Sequence, residues 1–128
     1  MDSIMLERKG FKKLASPLEN LERIPRKAAV YVLLLRRQLE RVKGKTDIVY
    51  IGETGDLQNR VNEYGGNWKK EGGTGHRICE NLQQLNEPVD LLFKLAERLS
   101  LSRRAYERQL LWKFSKEHIE LPAWNRHA

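Results

Sequence analysis

Five side chains of this sequence carry functional groups that one site could bring together: Tyr31, Tyr50, Arg60, Glu107 and Asn125. The two phenols can donate or accept hydrogen bonds, but with an ordinary pKa of about 10 neither is a good base at neutral pH without help. Arg60 stands at i+3 on a stripe made by Leu57, Val61 and Tyr64, so its guanidinium aims at whatever that stripe packs against. There it must either snorkel to the edge or hold something anionic. Glu107 lies three and four residues before Leu110 and Leu111 and points inward with them. Other chemistries are excluded or unsupported. His76, His118 and His127 show no metal-ligand spacing, and the single cysteine, Cys79, excludes an internal disulfide and a Cys-based zinc site. No Gly-x-x-x-x-Gly-Lys-Ser/Thr run is present, which argues against a P-loop ATPase. Gly52-Glu53-Thr54-Gly55 matches the GXXG of a KH loop, yet it follows a strand and holds an acid where such a loop is basic.

These residues need elements to position them. Ser16-Pro17-Leu18-Glu19 offers a capping hydroxyl, a proline at the first helical position and a glutamate able to reach back, which predicts a short helix to about Arg23. Residues 27–35 (KAAVYVLLL) and 47–51 (DIVYI) read as buried strands. The basic stretch between them, Arg36 to Thr46, fits a hairpin with a long loop, and a turn near Arg41 sets Tyr31 opposite or diagonal to Tyr50 on one sheet face. Thr54 or Asp56 can cap the helix that carries Leu57, Val61 and Tyr64. A glycine-rich loop with Lys69 and Lys70 follows, then a helix over about His76 to Leu85, a third strand over Val89 to Ala96, and a last helix from Ser100 or Ser102 to about His118. Pro122 stops that helix, and Asn125 lies just beyond it.

A chain of 128 residues fits one domain. Its 24 Lys and Arg against 17 Asp and Glu give a net charge of +7, which suggests a polyanionic partner. Residues 1–64 hold 13 basic and 9 acidic residues, and residues 65–128 hold 11 and 8, so the fold must assemble any binding face. The longest apolar run, Ala28 to Leu35, is far short of a membrane span, and the first residues resemble no signal peptide; the reading is cytoplasmic, with no membrane partner.

Taken in order, Ala29-Val30-Tyr31, Tyr50-Ile51-Gly52, Thr54-Gly55-Asp56-Leu57 leading to Arg60, then Glu107, Pro122 and Asn125 resemble the GIY-YIG nuclease family over about residues 25–127. Order and spacing contribute as much as the short motifs. The resemblance implies an α+β fold with a small three-stranded antiparallel sheet flanked by helices. Residues 25–128 would form the nuclease-like domain, and residues 1–24 an N-terminal extension whose short helix packs on the core, one structural domain overall. It further implies phosphodiester hydrolysis with one divalent metal, Mg²⁺ or Mn²⁺. Tyr31 and Tyr50 would be the paired tyrosines, Arg60 the phosphate-stabilising arginine, Glu107 the metal ligand, Asn125 the late structural or active-site asparagine, and Tyr64 the His-or-Tyr position that many members carry. Magnesium is commonly held by only one or two carboxylates, so one glutamate is sufficient. The sequence departs from the family name at Ala29 and Val30, and Glu53 stands directly after the Tyr-Ile-Gly triplet.

The expected function is therefore a metal-dependent endonuclease acting on DNA in preference to RNA, as a monomer or a homodimer, with phosphate contacts from Lys43, Lys45, Lys69, Lys70, Arg103 and Arg104. The alternative, prompted by Ala29 and Glu53, is a catalytically inactive nucleic-acid-binding module on the same fold. Plainer roles compete with each site residue. Arg60 can pair with Glu53 or Glu63, Glu107 with Arg103, Arg104 or Arg108, and Asn125 can simply cross-link the C-terminal segment. Trp68 can stack on an unpaired base or fold back over the core.

Overall fold

From Ala29 to Leu35 every side chain is buried, and this run forms the middle of the sheet. In the computed structural model, which describes residues 1–68 and 72–126, strand β2 (Ala29–Glu40) pairs antiparallel with β3 (Lys45–Thr54) on one side and β4 (Val89–Leu95) on the other. A strand with neighbours on both edges and both faces covered has no solvent side, which is why its sequence is continuous rather than alternating.

The sheet has four strands, not the expected three, in the order β1-β4-β2-β3. The addition is β1 (Lys12–Leu14), which aligns Lys12 with Phe93 and Leu14 with Leu91. Three residues, two of them lysines, carry no strand pattern of their own. They are extended because the free edge of β4 offers backbone partners that would otherwise need another cover. The fold is thus α+β, with a four-stranded antiparallel sheet and four α-helices among the described residues: α1 (Ser3–Arg8), α2 (Leu57–Asn62), α3 (Gly73–Gln84) and α4 (Arg103–His118).

Period-two alternation divides β2 between two cores. Val30, Val32 and Leu34 face α1 and α4, meeting Leu6, Leu110, Leu111 and Phe114. Tyr31, Leu33 and Leu35 face the opposite side, meeting Leu57, Val61, Tyr64 and Ile78. Among the described residues no helix is long and apolar enough to cross a membrane.

Two local expectations are corrected. The predicted helix after Ser16 is a pair of single 3₁₀ turns, Pro17–Glu19 and Leu21–Arg23. Ser16 sits at φ 47° in the left-handed region and its hydroxyl caps nothing, while the Asn20 side chain donates to the Ala15 and Ser16 carbonyls and separates the turns. The long hairpin loop is instead strand: β2 and β3 extend to Glu40 and Lys45, and the chain reverses over Arg41–Gly44, where Gly44 takes φ 75° and its carbonyl accepts from the Arg41 N–H at 2.9 Å. Arg41 holds this turn against the end of α4 through Glu120 and the Leu121 carbonyl.

Asp90 ties the 3₁₀ segment to the sheet. Its buried carboxylate accepts from Arg36 Nε at 2.9 Å, Arg36 Nη2 at 3.0 Å and the Ser16 N–H at 3.1 Å. Burial works to raise its pKa, but Arg36 and the Ser16 N–H together bring it below the ordinary value. A carboxylate depressed in the folded state stabilises fully above its unfolded pKa, and that contribution disappears as pH falls through the folded value. Asp90→Asn should therefore lower stability by about 1–3 kcal/mol at neutral pH, and the gap in urea midpoint between wild type and variant should close below about pH 4. A gap that stays constant down to acid pH would show that the charge is not what matters.

Candidate active site

The register of β2 and β3 sets Tyr31 opposite Gly52 and Leu33 opposite Tyr50. Tyr31 and Tyr50 are consequently diagonal neighbours on one face, with ring centroids 6.0 Å apart, as the sequence predicts. Gly52 makes their approach possible. A Cβ there would lie 2.7 Å from Tyr50 Cε2 and 2.9 Å from both Cζ and the hydroxyl of Tyr31, inside van der Waals contact. Ala29, on the neighbouring position of β2, has ordinary negative-φ strand backbone and buries its methyl in the core.

A third phenol completes the cluster. Asp56 caps α2 by accepting from the Asn59 N–H at 3.1 Å, and the Leu57 N–H donates to the Lys27 carbonyl at 3.0 Å, fixing the helix immediately after β3. Arg60 and Tyr64 then stand one helical turn apart. The chain widens over Glu63–Asn67 and turns at Gly66 (φ 105°), which returns Trp68 against the ring of Tyr64 at 5.9 Å with the planes inclined by only 15°. Trp68 thus folds back. The hydroxyls of Tyr31 and Tyr64 are hydrogen-bonded at 2.6 Å.

Arg60 lies over the Trp68 ring at 5.7 Å, beside the Tyr31 and Tyr64 phenols, with Glu63 at 3.8 Å from its Nε. Arg77, which sequence reasoning missed, approaches the tyrosine face from α3: it donates to the Trp124 carbonyl and lies near enough to Tyr50 for that phenol to work against the lowering of its pKa by burial. The Nε–H of Arg60 and of Arg77 are both buried, and neither has a hydrogen-bond acceptor among the described residues. Arg77 neighbours Ile78 on the inner side of α3, but only the packing of α3 over the tyrosine face reveals where it ends.

Glu107 approaches from α4 on the other side of the sheet, around the β3 edge, close enough that its charge adds to the pKa of Tyr50. It is half-buried and forms no ion pair among the described residues. Burial and then Glu53 push its carboxyl above the ordinary range, while Arg104 and Arg108 partly counter them. Burial likewise raises all three phenols, so at neutral pH each keeps its proton. Burial alone would lower the pKa of Arg60, but the surrounding phenols reverse that and it stays charged.

The remaining predicted residues are distributed unevenly. Both functions of the Asn125 amide are engaged with Ile51, Nδ2 donating to its carbonyl and Oδ1 accepting from its N–H, each at 2.9 Å. Together with Trp124, whose N–H donates to the Val49 carbonyl at 2.8 Å, it covers the outer edge of β3. Arg103 is paired with Glu53 at 2.9 Å, and Arg104 is exposed and unpaired among the described residues. Lys43 and Lys45 lie at the far end of the hairpin, Lys45 about 17 Å along β3 from Tyr50, where Lys45 faces Glu40. Lys69 and Lys70 lie outside the described residues. No protein-family model and no curated protein matches the chain.

If the phenol pair depends on the space at Gly52, then Gly52→Ala should cost about 1–3 kcal/mol in denaturant unfolding and alter the near-ultraviolet dichroism of the tyrosines. An unchanged midpoint and spectrum would show that the two rings move apart freely.

Proposed function

We propose that this chain is a divalent-metal-dependent endonuclease of the GIY-YIG kind that hydrolyses phosphodiester bonds in nucleic acid, DNA in preference to RNA. One observation carries the reading: the buried Nε–H of Arg60, beside three protonated phenols, has no hydrogen-bond acceptor among the described residues, and that of Arg77, near Tyr50, has none either. A cluster made of donors is suited to a ligand that brings oxygens and negative charge, as a phosphodiester does. The order of tyrosine strand, turn, tyrosine strand, arginine helix and late glutamate helix supports the same reading.

Glu107 suits a hard cation. It is half-buried, unpaired among the described residues, and raised in pKa because burial and Glu53 leave its charge poorly compensated. Magnesium commonly takes only one or two protein carboxylates and fills the rest of its octahedron with water and phosphate oxygens. A bound Mg²⁺ or Mn²⁺ supplies Lewis-acid stabilisation of the phosphate and a more acidic water. Arg60, braced on Trp68, and Arg77, braced on the Trp124 carbonyl, neutralise the non-bridging oxygens. The Tyr31 and Tyr64 pair fixes the floor of the site, and Tyr50, the most exposed of the three and the one beside Glu107, presents its hydroxyl to the reacting oxygens.

The second reading, a binding module without catalysis, is favoured by Glu53, whose charge opposes ionisation of Glu107. Incubation of the purified chain with supercoiled plasmid and branched DNA, in Mg²⁺, Mn²⁺ or EDTA, separates the two. Wild type should nick in either metal and not in EDTA. Glu107→Ala should abolish cleavage and keep DNA affinity, and Arg60→Ala and Arg77→Ala should each slow cleavage by about 10²–10³-fold. Absence of cleavage with salt-sensitive binding retained would establish the binding module, and loss of both functions in Glu107→Ala would assign it a structural role.

A further inference from the structure

The inner side of α4 packs through Leu110, Leu111 and Phe114, and His118 is buried with them. On the outer side Arg104, Arg108, Trp112 and Lys116 follow one another at intervals of four, and all four are exposed. Residues four apart form a ridge on a helix surface, and this one runs about 18 Å. Trp112 is 60% exposed, with the Lys116 ammonium over its ring at 5.1 Å. A tryptophan so open on a helix whose apolar side is already satisfied contributes little to the core.

Several cations elsewhere in the molecule are already matched to carboxylates. Arg26, Lys27, Arg36, Arg37, Arg41 and Arg103 each face a carboxylate within 4 Å. Arg104, Arg108 and Lys116 have no such partner among the described residues. The ridge also has a direction. Its N-terminal members, Arg104 and Arg108, are the two cations that lower the pKa of Glu107, so it begins at the candidate active site and leads away from it.

We infer that the outer face of α4 holds a single-stranded arm of nucleic acid, its phosphates on Arg104, Arg108 and Lys116 and an unpaired base stacked on Trp112. This deepens the proposed nuclease reading and rests on it: the substrate would carry an unpaired segment next to the bond that is cut, as a flap, branch or overhang does. Charge complementarity argues for a polyanion. The aromatic ring selects the single strand, because a duplex keeps its base faces stacked inside while an unpaired base presents a face to an indole. A lipid surface would need a continuous apolar face, and the exposed indole instead stands between cations.

Fluorescence anisotropy with a labelled single strand and the matching duplex, over a range of salt, tests this on wild type, Trp112→Ala and Arg108→Ala. Trp112→Ala should weaken single-strand binding about tenfold and duplex binding by less than about twofold, at an unchanged melting temperature. Arg108→Ala should reduce the salt slope for the single strand by about 0.7. Equal losses on both nucleic acids, or no loss on the single strand, would overturn the assignment. So would a Trp112-dependent association with phosphatidylserine vesicles, or a dimer in sedimentation that Trp112→Ala dissolves. Cleavage assays keep this separate from the nuclease reading. Trp112-dependent strand binding without cleavage leaves the ridge standing and removes the nuclease. Cleavage that treats flap and duplex alike, unaffected by Trp112→Ala, does the reverse.

Discussion

Because Tyr31 of β2 lies opposite Gly52 of β3, the volume a side chain would fill at that point of the sheet is taken by two phenol rings. The rest of the candidate site is arranged around this close approach. Tyr64 reaches the Tyr31 hydroxyl only because α2 begins within a few residues of Gly52, and Trp68 can cover Tyr64 only because the chain turns back at Gly66. Arg60 is then enclosed by Trp68 on one side and the phenols on the other. Gly52 is itself held in place from the solvent edge, where Asn125 binds both backbone groups of the preceding residue. One constraint in the ladder therefore fixes the position of groups drawn from a strand pair, a helix and the C-terminal segment.

The parts of this arrangement legible in the sequence are those that depend on local rules. Strand alternation together with a turn near Arg41 is enough to put Tyr31 and Tyr50 on one face, and helical spacing is enough to turn Arg60 and Glu107 inward. The misses share a different cause. β1 is a strand only because β4 has an edge to cover, and Lys12 to Leu14 carry no pattern that would announce it. Ser16 offers the composition of a helix cap, but Asp90 takes its N–H, and the backbone adopts a left-handed turn instead. Arg77 reaches the site because α3 packs across the tyrosine face, a tertiary fact with no local signature.

Burial gives the site its electrostatic character. Removing three phenols from water makes ionisation unfavourable, so the same packing that orders them also keeps them as hydrogen-bonding groups at neutral pH. It also encloses the Nε–H groups of Arg60 and Arg77, and no described residue accepts from either. Unpaired buried donors are costly, so the unmatched Nε–H groups of Arg60 and Arg77 each leave a place that a ligand oxygen can satisfy.

The surface shows a related division of labour. Where the chain must be held, cation and carboxylate are matched: Arg36 with Asp90 under the 3₁₀ turns, Arg41 with Glu120 at the hairpin, Arg103 with Glu53 at the start of α4. Those pairs consume positive charge in shaping the fold. The excess that makes the chain +7 must lie elsewhere, and part of it lies along the outer face of α4, in exposed side chains outside the core. Arg103 and Arg104 illustrate the separation within one turn of helix. The first is committed to Glu53 and steadies the acid that faces Glu107, while the second is free among the described residues and lends its charge to Glu107 from the solvent side. Adjacent residues of the same type thus do opposite work because the helix turns one toward the sheet and the other toward whatever approaches it.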